Sequence, residues 1–579
     1  MSNRLTYIIA AILLLIMGAL AFFSMLGDSA TMDELSHIPA GYSYLSQKDM
    51  RINPEHPPLI KDLAGLLPFL FLKVNFPKDH QSWTTNVNDQ WSFGETLLYK
   101  SGNNADQIVF LARLPMILII LLLGFYIFKW AREIGGNKVG IFALIFYAFS
   151  PNFIGHGGLV TTDVGAATGF FVCTYYFWRF LKEQSKKNLI FAGLAFGIAE
   201  LLKFTVFLMT PALPVLAIIW AYTHNQSIKK LFLFSLLVLA VGFILIYAVY
   251  LFHVWNLPQD RQIHDMKEEL SSTPLKPLAS IDVWMAQNPI LRPFAYYFLG
   301  LLLVFQRGIF GNTEYFLGEI SAAGWKDYFP IVYFIKTQLA FHVLTIIAIF
   351  FGFLSIKRPF WKQMVPRFKF WIKDNFAVFT MLGFVLGYWL VSLSGNLTIG
   401  VRHLFPLLPF MFVLISLATL KLLGKLKNKA LITAKIFVAG LLAWYAIPII
   451  LLYPYFLTYF NMAAGGPSAG SRYVVDSNLD WGQDLKRLKK WVDENNIEKI
   501  KIDYFGGGNV EYYFGEKYEK FDPKSGPQTG WLAISATPLR GGQGRPAPGF
   551  KDPTGYYNWL KDYEPVSVIG NSIFVYHIE

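Results

Sequence analysis

The stretch from Asp33 to Pro58 is polar in a chain that is otherwise largely apolar. It spans 26 residues and begins shortly after the first long apolar run ends. A carboxylate at such a position can take a proton from an acceptor hydroxyl or hold a cation. Isolated acids also serve as helix caps or lie in solvent, so the stretch is a candidate site with a structural alternative. Its acidic and imidazole side chains are Asp33, Glu34, His37, Asp49, Glu55 and His56.

Two prolines define the end of this stretch. Pro57 and Pro58 hold the backbone extended before a helix starts, which orders the preceding side chains at low entropic cost. Glu55 can bind a sugar hydroxyl or a metal, and His56 can ligate a metal or contact a phosphate. A helix start with incidental polar residues is the alternative.

Charged residues also occur at the ends of later apolar runs. Asp163 lies in the first turn of a predicted helix, where capping threonines and the helix dipole account for it equally well. Lys203 can pair with Glu200, three residues earlier, or contact a lipid phosphate. Arg402 and His403 begin another run, where Arg402 offers a planar fork for a phosphate or anchors the interface.

The composition predicts which elements position these residues. Of 579 residues, 54% are hydrophobic and 15% are charged, whereas soluble domains carry about 25% charged residues. Uncharged runs such as 231–252 are long enough to span a bilayer. We therefore predict an all-α polytopic membrane protein with about eleven transmembrane helices and a small C-terminal α/β domain. The predicted spans are 6–26, 108–128, 139–155, 160–180, 188–204, 206–222, 231–252, 329–355, 375–394, 403–420 and 431–453.

The positive charges orient these spans. Lys and Arg concentrate in alternate gaps, as expected of cytoplasmic loops, so the net charge of +13 indicates membrane topology rather than nucleic-acid binding. This pattern predicts a cytoplasmic N-terminus and an outer C-terminus. The first apolar run continues to Leu26, which favours a retained span over a cleaved signal peptide. The predicted cytoplasmic residues are Lys129, Arg132, Lys138, Arg179, Lys182, Lys186, Lys187, Lys229, Lys230, Lys357, Arg358, Lys362, Arg367, Lys369, Lys373, Lys421, Lys425, Lys427 and Lys429.

The chain divides into two predicted domains. Residues 1–454 form a transmembrane domain with outer loops 27–107 and 253–328, and residues 455–579 form an extracytoplasmic α/β domain. The single cysteine, Cys173, excludes an intrachain disulfide and a Cys-rich zinc site. Local patterns predict an interfacial helix at 294–305, a helix cap at Asp480 to Gln483, strands at 499–505 and 531–535, and a hairpin of 566–569 with 573–577.

The order of these motifs resembles a known superfamily. An Asp-Glu pair after the first span, an x-Pro-Pro-Leu segment ending at Leu59, and an outer Asp at a later span are similar to the integral-membrane GT-C glycosyltransferases. Protein O-mannosyltransferases and lipid A aminoarabinose transferases are the most similar groups. Segments 315–330, 400–409 and 477–485 (SNLDWGQDL) resemble phospholipid-carrier-dependent glycosyltransferases.

The resemblance implies a reaction and roles for the candidate residues. It implies a polyprenyl-phosphate sugar donor, a protein, lipid or glycan acceptor, surrounding membrane lipids, and inversion at the anomeric carbon. Asp33 would be the general base, and Glu34 would support it or bind substrate. The resemblance leaves the cofactor unknown, with a divalent metal ion as one option. Glu55, His56 and Asp163 would line the sugar or metal site, and Lys203, Arg402 and His403 would face the donor phosphate.

Two other classes of function are compatible with the sequence. A transporter or flippase of lipid-linked sugars would typically show paired halves and broken helices near the midplane, and no half-repeat is visible in the sequence. A membrane scaffold that displays the C-terminal domain would not need Asp33, Glu55 and Asp163 to converge.

Overall fold

Long apolar helices build most of the molecule. The computed structural model describes residues 2–356 and 363–579, so Lys357, Arg358 and Lys362 of the predicted cytoplasmic loop lie outside the described residues. The first twelve helices are α1 (Asn3–Met25), α2 (Met32–Gln47), α3 (Leu59–Phe71), α4 (Gln81–Thr84), α5 (Gln90–Glu95), α6 (Ala105–Gly135), α7 (Asn137–Ala148), α8 (Pro151–Gly157), α9 (Thr162–Lys182), α10 (Lys186–Leu202), α11 (Met209–Thr223) and α12 (Ile228–His253).

The remaining helices complete the bundle and the C-terminal region. They are α13 (Gln259–Glu269), α14 (Lys276–Ala286), α15 (Arg292–Phe310), α16 (Tyr328–Lys336), α17 (Leu339–Leu354), α18 (Met364–Asp374), α19 (Phe376–Ser394), α20 (Leu408–Lys425), α21 (Asn428–Leu452), α22 (Leu485–Glu494), α23 (Val510–Phe514) and α24 (Ala536–Gln543). Short 3₁₀ turns cover Phe204–Leu208, Val401–Leu407, Phe456–Thr458, Met462–Ala464, Pro467–Arg472, Asp476–Asn478, Gly515–Lys517 and Asn558–Asp562, and Thr96–Lys100 forms a π-helical turn.

The helices confirm a polytopic membrane fold and differ in detail from the predicted span count. Within the described ranges, eight helices are long and apolar enough to cross a membrane, and ten spans result if the bent pairs α7–α8 and α16–α17 each count as one. All eleven predicted spans coincide with a helix or a bent pair. The predicted spans at α9 and α10 do not meet the length and apolarity of the others, whereas α15, predicted to be interfacial, does.

Helices α2 and α3 of the first long loop pack unusually closely. A Cβ atom on Gly41 would lie 1.8 Å from the carbonyl oxygen of Lys61, and one on Gly65 would lie 2.4 Å from the carbonyl carbon of Gly41. Only glycine permits this approach. The contact fixes α2, which carries Asp33, against α3, the helix that directly follows the turn of Glu55 and His56.

The C-terminal region contains the predicted α/β element. Its sheet has the order β4-β3-β5-β8-β7, with β3 parallel to β4 and β5 and the other pairs antiparallel. The predicted strands and hairpin are confirmed, and Gly570 and Asn571 at the hairpin turn both have positive φ. The strands are β1 (Glu314–Phe316), β2 (Glu319–Ser321), β3 (Ile500–Asp503), β4 (Tyr518–Glu519), β5 (Gly530–Ser535), β6 (Arg545–Pro546), β7 (Ser567–Ile569) and β8 (Ile573–Ile578).

The predicted helix cap at Asp480 is wrong. Helix α22 begins only at Leu485, and Asp480 instead accepts a hydrogen bond from the backbone N–H of Thr537 at 2.7 Å. The polar pattern of a capping box also suits a turn that bonds to the first turn of a distant helix, here α24, so the local sequence does not distinguish the two.

The polar regions between the helices contact one another. Strand β2 pairs in parallel with β6 of the C-terminal region. The N–H of Ser29 donates to the carbonyl of Gln483 at 2.9 Å, and the hydroxyl of Tyr99 donates to the carbonyl of Gly507 at 2.8 Å. The first loop, the region after α12 and the C-terminal region therefore lie at one end of the helical bundle.

Candidate active site

Four charged side chains from four separate elements form a chain of ion pairs. Arg402 Nη1 lies 2.6 Å from Asp33 Oδ2 and 3.4 Å from Asp163 Oδ2. Lys203 Nζ donates to Asp163 Oδ1 at 2.5 Å. The sequence separations of 369, 239 and 40 residues mean that only the folded bundle brings these groups together.

Local backbone structure places each of the four residues. Asp33 lies in the first turn of α2, and Asp163 lies in the first turn of α9, whose N-cap Thr161 accepts from the Asp163 N–H at 3.4 Å. Lys203 lies at the extended break between α10 and the following 3₁₀ turn. Arg402 lies in the 3₁₀ turn before α20. Helix ends supply all four residues, which leaves their side chains free to converge.

The four side chains of these ion pairs differ in how deeply they are buried. The side chain of Asp163 is 2% exposed and that of Arg402 8%, whereas Lys203 is 13% exposed and Asp33 24%. Burial alone would raise the pKa of Asp33, but the Arg402 guanidinium outweighs it and holds the pKa below its usual range. Asp33 is thus an ionised carboxylate, and it is the most accessible of the four groups.

Glu34 faces a different partner. Its carboxylate accepts hydrogen bonds from Arg113 Nε at 2.8 Å and Arg113 Nη2 at 2.7 Å. It also accepts from the Val160 N–H at 3.0 Å and from the N–H and hydroxyl of Thr31. The side chain is fully buried. Glu34 therefore closes the capping box of α2 and ties this helix to α6.

Glu55 and His56 lie in a turn held by buried donors. The Glu55 carboxylate accepts from Asn88 Nδ2 at 3.1 Å and Gln90 Nε2 at 2.5 Å. The fully buried ammonium of Lys61 donates to the carbonyl oxygens of Asn53 at 2.6 Å and His56 at 2.7 Å. Both Glu55 and His56 are themselves half-buried, so each keeps an exposed edge.

Two histidines connect this turn to Asp33. The rings of His37 and His56 meet edge to face with centroids 5.1 Å apart, and His37 Nδ1 lies 3.1 Å from the carbonyl oxygen of Val160. Burial lowers the pKa of both imidazoles, so both are neutral near pH 7. His403 lies close enough to Asp163 and Lys203 to interact with both electrostatically, while its carbonyl accepts from the hydroxyl of Tyr388.

The alternative pairing of Glu200 with Lys203 does not occur. Glu200 accepts from the hydroxyl of Tyr297 at 3.0 Å, and Lys203 turns to Asp163. The break after α10 rotates Lys203 out of the helical register, so the three-residue spacing no longer applies.

Sequence reasoning missed three residues that shape the site. Trp481 covers Arg402, with the guanidinium carbon 4.3 Å from the ring centroid. Arg113 binds Glu34 and Lys61 holds the Asn53–His56 turn. Trp481 left a signal, because its SNLDWGQDL segment stood out as a motif. Arg113 and Lys61 left none, since each lies in an amphipathic or apolar run.

The carboxylates of the site do not fit a resident metal. Over residues 2–356 and 363–579, no group of three or more His, Cys, Asp or Glu side chains is placed to hold a metal ion. The oxygens of Asp33 and Asp163 point at the cationic groups of Arg402 and Lys203. Positive charge is thus already supplied by side chains.

A cleft of about 400 Å³ is lined in part by Leu35, in the first turn of α2. It contains none of the predicted site residues. Its lining includes Leu35, Trp91, Glu95, Tyr99 and the segment from Gly506 to Asn509.

Comparisons with known proteins agree with the motifs. The family model for dolichyl-phosphate-mannose-protein mannosyltransferase matches residues 103–252, which include Asp163 and Lys203. The predicted resemblance to GT-C glycosyltransferases is thereby confirmed. A search of curated proteins found no match.

Several solved structures resemble this fold at low identity. The oligosaccharyltransferase of Archaeoglobus fulgidus has a TM-score of 0.48 and 14% identity, covering 89% of this chain and 64% of that one. It has also been solved with Zn and sulfate. The protein O-mannosyltransferase Pmt1-Pmt2 complex of S. cerevisiae, bound to the sugar donor, has a TM-score of 0.36 and 17% identity over 44% and 35% of the two chains. ArnT from Cupriavidus metallidurans, bound to undecaprenyl phosphate, has a TM-score of 0.32 and 11% identity over 99% and 98%. The chain thus spans less than two thirds of the first two of these proteins.

Proposed function

We propose that the chain transfers a sugar from a polyprenyl-phosphate donor to an acceptor hydroxyl, with inversion of the anomeric carbon and Asp33 as general base. The observation that carries this proposal is the partly exposed, ionised Asp33 carboxylate held by Arg402 beside the Asp163–Lys203 pair. The match of residues 103–252 to the mannosyltransferase family supports it, since that segment holds Asp163 and Lys203.

The reaction requires a base on one side of the anomeric carbon and a stabilised leaving group on the other. The acceptor hydroxyl transfers its proton to the Asp33 carboxylate as its oxygen bonds to the anomeric carbon. The bond between that carbon and the phosphate oxygen breaks, and the electron pair remains on the lipid phosphate. Because Arg402 keeps Asp33 ionised, the base is available at neutral pH.

Cations on this chain of ion pairs suit the departing phosphate. Arg402 Nε is buried and has no hydrogen-bond partner among the described residues, so it can donate to a substrate oxygen. Lys203 is bonded to Asp163 through one hydrogen bond and its ammonium carries further N–H donors. Preorganised donors of this kind stabilise developing negative charge. His403, next to Lys203, completes this side.

The other candidate residues divide between binding and support. Glu55 and His56 keep exposed edges and are proposed to contact the sugar or acceptor. Glu34 is saturated by five hydrogen bonds, so its proposed role is to hold the helix of Asp33. No step is assigned to a metal ion.

The proposed location follows from the charge pattern. The N-terminus is cytoplasmic, and the site and residues 455–579, a separate extracytoplasmic domain after residues 1–454, lie on the outer face of the cytoplasmic membrane. Contacts among the first loop, β2 and the C-terminal region support their common side.

The test compares wild type with Asp33→Asn. Purified protein is incubated with undecaprenyl phosphate linked to labelled mannose or to labelled aminoarabinose. The label transferred to acceptor or water is then counted. Comparison of the two donors also shows whether the protein transfers a hexose or a pentose. Asp33→Asn should lose about 10²- to 10⁴-fold in turnover, the range for a general base, with thermal unfolding unchanged. Asp106→Asn, at a surface pair with Lys486, is the control and should keep wild-type turnover.

Two results would overturn the proposal. One is normal turnover in Asp33→Asn. The other is a wild-type protein that transfers no sugar but moves the labelled lipid across vesicle bilayers, which would establish a flippase.

A further inference from the structure

We propose that residues 476–484 of the C-terminal region, here called the clip, fix Asp33 and Arg402 relative to each other, and that Trp481 is the positioning residue for Arg402. The inference rests on the proposed function for its catalytic consequence. Its geometric part stands on contacts alone, because one short segment bonds to the backbone on both sides of the ion pair.

The first half of the clip holds the segment of Arg402. The side-chain oxygen of Asn478 accepts from the Val401 N–H at 2.9 Å, and the hydroxyl of Ser477 donates to the carbonyl of Ile399 at 2.8 Å. A Cβ on Gly400 would lie 2.4 Å from the Ser477 hydroxyl oxygen. The backbone that leads into Arg402 is therefore held at two points, on either side of Gly400.

The second half of the clip holds the start of the Asp33 helix. The N–H of Met32 donates to the carbonyl of Trp481 at 2.9 Å. The N–H of Ser29 donates to the carbonyl of Gln483 at 2.9 Å, and its hydroxyl donates to the carbonyl of Gly482 at 2.7 Å. The residue next to Asp33 is thus bonded to the same residue whose ring covers Arg402.

The Trp481 ring fixes the plane of the guanidinium. The indole is 1% exposed and stacks on Arg402 at 4.3 Å, so one face of the cation is shielded from water. With that face covered, the edge of the guanidinium faces Asp33 and Asp163. A smaller side chain would admit water and let Arg402 leave this plane.

Loss of the ring has a consequence for pH dependence. Since Arg402 lowers the pKa of Asp33, a displaced Arg402 returns that pKa towards higher values. Asp33 then becomes protonated, and inactive as a base, at a higher pH. The acid limb of the kcat profile, where kcat falls as the pH is lowered, should therefore move to higher pH.

The first experiment measures transfer of labelled sugar from undecaprenyl-phosphate mannose across pH. Trp481→Leu should lower kcat about tenfold and move the acid limb upwards by about one pH unit, as removal of a cation–π contact to a buried arginine predicts. Trp481→Phe, which keeps an aromatic face, should restore most of both. Trp491→Leu, in α22 against Trp531, is the control and should lower stability without moving the limb. If Trp481→Leu is less stable but its acid limb stays at the wild-type pH, Trp481 has only a structural role and the assignment is overturned.

The second experiment does not need catalysis. Hydrogen exchange is measured by mass spectrometry on wild type, Asn478→Ala and Trp491→Leu in detergent. Asn478→Ala should speed exchange in peptides covering 399–403, where the Val401 amide loses its acceptor, and in 29–34 through the shared clip, whereas Trp491→Leu should not. Unchanged exchange at 29–34 in Asn478→Ala would overturn the proposal that the clip fixes Asp33 and Arg402 relative to each other. If wild type transfers no sugar, the proposed function fails, and this exchange result alone decides the clip.

Discussion

Asp33 and Glu34 are neighbours in the first turn of α2, and each bonds to an arginine from a distant part of the chain. The Glu34–Arg113 pair is sealed, with Glu34 fully buried and its oxygens accepting five hydrogen bonds. The Asp33–Arg402 pair is open, with Asp33 24% exposed and Arg402 Nε without a partner among the described residues.

The difference between these pairs separates support from chemistry. A saturated pair has no donor or acceptor left for a substrate, so its contribution is to the fold. An open pair retains hydrogen-bonding capacity and a path to solvent. Adjacent acids in a sequence therefore carry no information about role until their partners are known.

The sealed pair should respond to mutation through stability. Arg113→Met leaves Glu34 as a buried charge without its partner, which costs about 3–5 kcal/mol. We expect a large drop in the thermal unfolding temperature, with the protein that remains folded keeping its kcat. Arg132→Met, near the end of the same helix, is the control. It removes partly exposed hydrogen bonds to Tyr7, Asn3 and Asn137 but leaves no buried charge without its partner, so it should lower the unfolding temperature much less.

One result would contradict the distinction between the Glu34–Arg113 and Asp33–Arg402 pairs. If Arg113→Met unfolds like wild type but loses turnover, then the Glu34 pair belongs to the chemistry. The distinction between sealed and open pairs would then fail for this molecule.

The Asp163–Lys203 pair is less exposed than the open pair and more exposed than the sealed pair. A mutation of Lys203 tests whether this pair takes part in the chemistry. Lys203→Met should lower kcat/KM for the lipid-linked donor about 10- to 100-fold, because a hydrogen bond to a charged group contributes about 1.5–3 kcal/mol. The loss should appear mainly in KM if Lys203 binds the ground-state phosphate and in kcat if it acts on the departing phosphate.

A matched control for Lys203 lies in the last turn of α10, the helix that ends just before it. Glu200→Gln keeps the acceptor for Tyr297 and should transfer sugar at the wild-type rate. Equal losses in Lys203→Met and Glu200→Gln would show that packing of α10, rather than the Lys203 charge, controls the rate.

The sequence anticipated the open pair better than the sealed one. Asp33, Asp163, Lys203 and Arg402 all lie at ends of apolar runs, and charge alternation predicts that those ends share a surface. The role of Glu34 depends on Arg113, 79 residues away inside a helix that looks uniformly apolar. No local pattern predicts such a contact.

The C-terminal region shows the same limit. Its strands and hairpin follow from alternation and from Gly570–Asn571, since both are local properties. The predicted N-cap of α22, Asp480, lies four residues before the observed N-cap, Asp484, because Asp480 bonds to Thr537 across the fold instead of capping a helix. Likewise, the contact of Trp481 with Arg402 joins the C-terminal region to the turn before α20, and no local pattern predicts it.

Asp480 extends the comparison to a buried acid that has no cation. Burial raises its pKa to about 8, against the smaller opposing effect of its hydrogen bonds from Thr537. Since the unfolded pKa is about 3.9, the folded state keeps a proton that the unfolded state releases, and stability falls as pH rises from about 4 to about 8, by about 1.4 kcal/mol per pH unit. Asp480→Asn removes this dependence, so its unfolding temperature should exceed that of wild type by more at pH 7.5 than at pH 5.5.

Asp493→Asn, at an exposed acid beside Lys489, is the control, and its difference from wild type should be the same at both pH values. Parallel curves for wild type and Asp480→Asn would mean that Asp480 is ionised in the folded protein, and that burial without an arginine does not distinguish it from Asp33.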